Sequence, residues 1–139
     1  LCFGCGSENP QGLGLRFRIE DGHAKADYVP PRHLQGYPGR MHGGGVATVL
    51  DEAMGWAAYA HGAWAMTARF TMRFRRPVPL DKSVTVTGRV TRDRGRVLEV
   101  RSELRSPDGV LLADAEGLFV RVSGVQAEEL RRQYDASIS

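Results

Sequence analysis

The sequence predicts an α+β domain of two layers, in which one curved antiparallel sheet wraps a single long helix. Three observations lead there. Apolar residues recur at every second position in several segments, recur at three- and four-residue spacing in only one long stretch, and short turn signals separate the last strands. A helix with a broad apolar face and a sheet with one apolar face each need cover, and packing one on the other covers both. The 139 residues suffice for one such core rather than two, so residues 1–139 are expected to form a single domain.

A Cys- and Gly-rich lead-in occupies residues 1–12. Leu13, Leu15, Phe17 and Ile19 then alternate with Gly14, Arg16 and Arg18, the pattern of a strand with one buried face. Asp21-Gly22 marks a turn, residues 24–29 return as a second strand, and Pro30-Pro31 stops it. A loop rich in Gly and Pro runs to Arg40. Over residues 43–60, Val46, Val49, Leu50, Ala53, Met54 and Ala57 recur at helical spacing, which makes this the one long, central helix. From Thr67 the period returns to two, with Phe70, Met72 and Phe74 alternating with Arg69, Thr71, Arg73 and Arg75 until Pro77 and Pro79 close the strand. Residues 83–93, 97–106 and 110–122 follow as an antiparallel meander, divided by Arg94-Gly95 and Pro107-Asp108-Gly109. Residues 126–134 are expected to add one short helix.

Composition narrows the function classes. The formal charge of +3 comes from 19 basic and 16 acidic residues that are interleaved rather than clustered, and they adjoin no nucleic-acid motif or aromatic platform. No nucleic-acid partner is expected; a polyphosphate ligand or an ordinary solvated surface fits the charge equally well. The most apolar stretch, residues 46–64, is broken by Asp51, Glu52 and His61, so no membrane span is expected. Without a visible signal peptide, the expected compartment is cytoplasmic. Cys2 and Cys5 form a Cys-x-x-Cys, but a structural zinc site takes four ligands, and only the scattered His23, His33, His42 and His61 are on offer. Structural or incidental roles are expected for the pair, with no metal and no cofactor.

The chemistry concentrates at the start of the helix. Residues 38–45, Pro-Gly-Arg-Met-His-Gly-Gly-Gly, deliver a glycine-rich turn into a helix N-terminus, where unpaired N–H groups and the helix dipole can hold an anion or a developing oxyanion. A loop that merely starts a helix would look similar. Asp51 shifts the balance, because a carboxylate inside an otherwise apolar helix is costly unless it is paired or has work to do. Glu52 beside it points about 100° away, either to solvent or to a basic partner. Gly44 and Asp51 share a helix face but lie roughly 10 Å apart along the axis. One carbonyl held at the glycine amides must have its attacking group within about 3 to 4 Å, so the carboxylate should come from a second subunit. Small residues on that face, namely Gly44, Ala47, Thr48, Gly55 and Ala58, would let a second chain approach, and a symmetric dimer would hold two composite sites.

The run from His42 to Ala53, His-Gly-Gly-Gly-Val-Ala-Thr-Val-Leu-Asp-Glu-Ala, resembles the His-Gly-Gly and downstream Asp pattern of hot-dog-fold thioesterases, notably the phenylacetate-pathway and mitochondrial thioesterase-superfamily groups. Thr67-Ala68-Arg69-Phe70 leading into residues 75–80 is similar to the next block of that family. The resemblance implies a single hot-dog domain that hydrolyses acyl-CoA, with coenzyme A as part of the substrate rather than a cofactor. It further implies that Gly43 donates its N–H to the thioester oxygen, with His42 shaping the turn and Gly44 contacting substrate. Asp51 would act as base or nucleophile and Thr67 would orient water, each site being assembled across a homodimer. Whether dimers pair into tetramers is open.

Two features bear on these roles. Gly45 extends the glycine pair to three, and strict alternation places Thr67 with Arg69 and Arg73 unless a bulge resets the register. Arg73, Arg75 and Arg96, with Arg76 and Arg94, are candidates for the coenzyme A phosphates or ordinary solvated strand residues. Trp56, Trp64, Tyr59 and Met54 are either acyl-pocket lining or plain core. Two other functions fit the same residues: a hot-dog dehydratase or hydratase, and a non-catalytic acyl-CoA binding module.

Overall fold

A computed structural model describes residues 1–138. Six strands form one antiparallel sheet: β1 (Arg18–Glu20), β2 (His23–Tyr28), β3 (Ala65–Phe74), β4 (Val84–Asp93), β5 (Val97–Arg105) and β6 (Leu111–Arg121). Their order is β1-β2-β4-β5-β6-β3, so the meander β4-β5-β6 fills the centre and β3 crosses over to an edge. Helix α1 (Gly43–Ala60) packs on the inner face, chiefly against β4, β5 and β2. The expected α+β architecture, a curved sheet around one central helix, is the observed one. Helix α2 (Val125–Ile138) is longer than the short helix over 126–134 expected from sequence.

The core forms where α1 meets the sheet. Val46, Val49, Leu50, Ala53, Met54 and Ala57 project from the helix onto Val84 and Val86 of β4, Leu98 and Val100 of β5, and Ala113, Ala115 and Phe119 of β6, all buried. Gly88 of β4 is what lets the layers approach closely, because a Cβ there would overlap the Ala53 carbonyl. Backbone cannot rotate aside as a side chain can, so Gly88→Val is expected to destabilise by about 3 kcal/mol, the upper end of overpacking costs. Urea denaturation should show a lower midpoint at unchanged slope, and an unaltered midpoint would refute the close approach.

Two local features depart from simple alternation. Leu13 and Leu15 are buried as their spacing predicts, yet the strand expected over 13–19 is regular only at Arg18–Glu20. The lead-in doubles back instead, and the N–H groups of Leu13 and Leu15 donate to the carbonyls of Phe3 and Gly4 at 2.8 and 3.0 Å. The β1–β2 connection closes through Asp21 and Gly22, both at positive φ (52° and 77°), the conformation of a two-residue hairpin turn.

Candidate active site

The glycine turn is held on both sides before it enters α1. Met41 N–H donates to the Val78 carbonyl and His42 N–H to the Leu34 carbonyl, at 2.8 and 2.7 Å. His42 is the N-cap: its ring Nδ1 accepts from Gly44 N–H at 2.8 Å, and its carbonyl accepts from Gly45 and Val46. Acting as acceptor at Nδ1, a neutral His42 ring carries its proton on Nε2. Gly44 therefore has its amide occupied by the cap. Among the described hydrogen bonds none engages Gly43 N–H, so the first helical residue keeps a donor at the positive end of the helix dipole.

This turn borders a cleft of about 810 Å³ lined by Tyr37, Arg40, His42, Gly43, Phe74, Arg75, Arg76 and neighbouring residues. Its charged lining is basic. Arg75 is only half available, because its Nε donates to Asp114 at 2.9 Å and a second nitrogen lies 3.4 Å from the same carboxylate. Asp114 is buried and also accepts from Arg101 at 2.9 Å; the Arg75 guanidinium holds its carboxyl below the usual carboxylate range. Arg40 is the cation that sequence reading passed over, although it stands two residues before the N-cap.

Asp51 lies eight residues beyond Gly43 along α1, in a different cavity. That cavity, about 340 Å³, is lined by Asp51, Glu52, Gly55, Trp56, Tyr59, Trp64, Met66, Thr67, Phe119, Leu130 and the two cysteines among others. Thr67 Oγ1 donates to Asp51 Oδ1 at 2.7 Å. Burial pushes the Asp51 carboxyl above the ordinary aspartate value, and the Thr67 bond opposes the shift. The contact exists because β3 is bulged: Thr67 faces Phe119 and Arg69 faces Leu118, with Ala68 looped out between them. The bulge returns Thr67 to the helix-facing side with Phe70 and Met72. Strict alternation would have sent it to the side of Arg69 and Arg73.

The remaining candidates are scattered. Trp56, Tyr59 and Trp64 form an aromatic wall, with ring centroids 5.4 and 5.3 Å apart and Phe17 stacked on Trp56 at 5.9 Å. Met54 is not part of it, being fully buried against the sheet, and Ala58 is likewise core rather than a small residue on an open face. Arg73 pairs across β3–β6 with Asp114, and Arg96 stands at the β4–β5 turn. Neither Arg73 nor Arg96 is among the described residues lining either cavity. Among the described residues Glu52 meets no basic group; the folded-back lead-in covers it, with Cys2 Sγ at 3.7 and 3.8 Å from its oxygens.

A sheet wrapped around one helix that begins at a glycine turn defines a protein of the hot-dog fold. The model of the Thioesterase superfamily matches residues 38–113, more than half of the chain, and the chain belongs to that superfamily. A curated relative, acyl-coenzyme A thioesterase THEM4 of Mus musculus, is 37% identical over 91 residues, which cover 65% of this chain and 39% of that protein. The chain thus spans less than half the length of this relative. Among solved structures, another thioesterase superfamily protein superposes with a TM-score of 0.78 at 33% identity, covering 81% of this chain and 56% of that one. A Streptococcus mutans protein crystallised with acetyl CoA shares the fold at 19% identity, with a TM-score of 0.76 over 84% of this chain and 95% of its own.

Proposed function

We propose that this protein hydrolyses acyl-CoA thioesters at sites shared between two copies of the chain. The observation that carries the reading is the division of the site. The free Gly43 amide opens on a cleft with Arg40, Arg75 and Arg76, whereas the Asp51–Thr67 pair opens on a separate, aromatic cavity. The cationic cleft suits the phosphates of coenzyme A, and the aromatic cavity suits an acyl group. The relative named as an acyl-CoA thioesterase and the fold relative holding acetyl CoA support the same substrate class.

Strand β3 supplies the means of joining the halves. It is a ten-residue edge with Met66 and Phe74 each 60% exposed, and such an edge is a template for pairing with another chain. Thr67 sits near one end, and Phe74 at the other would touch a side chain placed at Gly43. Two β3 strands paired antiparallel about a twofold axis bring the Thr67–Asp51 end of one copy beside the Phe74–Gly43 end of the other. Gly43 N–H then polarises the thioester carbonyl. Asp51 of the partner subunit uses the oxygen not bonded to Thr67 to take a proton from water as that water attacks. The tetrahedral intermediate collapses, the coenzyme A thiolate leaves, and the proton held by Asp51 passes to it.

A thiol-release assay over short, medium, long and aromatic acyl-CoAs tests this, run beside a mass measurement in solution. Turnover by a particle of two or more chains is expected, with aromatic and medium acyl groups favoured by the Trp56–Tyr59–Trp64 wall. Tight acyl-CoA binding without thiol release would instead indicate a binding module, and enoyl-CoA conversion without thiol release would indicate a hydratase.

A further inference from the structure

The lead-in and Glu52 form a cluster that thioester hydrolysis does not use. Residues 2–6, Cys-Phe-Gly-Cys-Gly, make a tight turn closed by Gly6 N–H donating to the Cys2 carbonyl at 3.0 Å. The turn rests on α1 so closely that a Cβ at Gly4 would overlap the Glu52 side chain. Cys2 Sγ, Cys5 Sγ and a Glu52 carboxylate oxygen all lie within 4.8 Å of one another. We propose that Cys2, Cys5 and Glu52 bind one divalent cation of the zinc class, with the fourth position left to water from the adjoining cavity.

The distances suit that ion. Tetrahedral zinc, with Zn–S near 2.3 Å and Zn–O near 2.0 Å, sets sulfur and oxygen ligands about 3.5 Å apart and two sulfurs about 3.8 Å apart. Cys2 Sγ already stands 3.7 and 3.8 Å from the two Glu52 oxygens, so small side-chain rotations complete the set. The donors are also the right kind, since thiolates select zinc over magnesium or calcium. In the absence of a cation, burial and then the Glu52 charge push the Cys5 thiol far up, and burial raises Glu52. A divalent ion takes the place of the two thiol protons, which are released to solvent as it binds. All three ligands line the cavity that holds Asp51, so the ion would pin the lead-in as a wall of that cavity.

The test uses the intact chain, reduced with a phosphine, stripped with chelator and titrated with Co²⁺. A thiolate-to-cobalt charge-transfer band with the visible bands of a tetrahedral site is expected, saturating at one ion per chain and erased by added Zn²⁺. Cys2→Ser and Cys5→Ser should abolish the band. Glu52→Gln, nearly isosteric, should keep the fold by circular dichroism while weakening Zn²⁺ binding at least about tenfold. A wild-type spectrum no stronger than that of the Cys2→Ser/Cys5→Ser double variant would overturn the site, as would unchanged affinity in Glu52→Gln. Formation of a reversible Cys2–Cys5 disulfide in a chain that binds neither ion when reduced would overturn it too, and identify a redox pair.

Discussion

Replacing Asp51 with Asn is expected to lower kcat for acyl-CoA hydrolysis by about 10³-fold, within the roughly 10²- to 10⁴-fold range for loss of a general base. Asn fits the same space and still accepts from the Thr67 hydroxyl, so fold and subunit pairing should survive while the proton acceptor is lost. The pH profile adds a second readout. A base must be ionised to work, so activity falls as pH drops through the Asp51 pKa. Burial raises that pKa, which places the acid limb above the ordinary aspartate range. Thr67→Val removes the hydrogen bond that opposes the shift, and the acid limb should therefore move to higher pH. Wild-type turnover by Asp51→Asn, or an acid limb that moves down in Thr67→Val, would remove Asp51 from the reaction.

Gly43→Pro should cost about 10²- to 10³-fold in kcat, the range for loss of one oxyanion donor. The substitution is close to a deletion of the N–H alone. Gly43 is the first residue of α1, where proline is tolerated because that N–H has no helical partner. His42 before it is already extended, at φ −59° and ψ 140°, as a residue preceding proline requires. A Cβ at Gly43 would meet only Phe74, at ordinary contact distance. Mixing this variant with Asp51→Asn, after subunit exchange, tests the shared site directly. Half of the dimers become mixed, each with one intact pairing of Gly43 and Asp51, so activity should recover to about one quarter of wild type. If both groups served the carbonyl within one chain, every chain in the mixture would carry a defect and nothing would recover.

The fold class was legible because it rests on local periodicity. The alternation of Phe70 and Met72, which pack against the core, and the helical spacing from Val46 to Ala57 report which faces are buried whatever lies opposite. The candidate site was legible in outline for a related reason. A glycine turn before a helix and a carboxylate inside an apolar one each break a local rule, and such breaks stand out in a single sequence.

What sequence alone determined, then, is one helix wrapped by a sheet, with its candidate catalytic groups concentrated along residues 42–51. Tertiary structure decided which groups are free to act. It placed Thr67 beside Asp51 through a bulge that alternation does not announce, occupied the Gly44 amide with the His42 ring, and tied Arg75 to Asp114. It also brought Cys2 and Cys5 to Glu52, fifty residues from Cys2, where spacing had found no ligand set. The His42–Gly44 cap is local, two residues apart, and the physical reason is common to the other three. A period along the chain reports burial of a face, whereas a hydrogen bond, an ion pair or a ligand cluster depends on which other element that face meets, and only folding decides that.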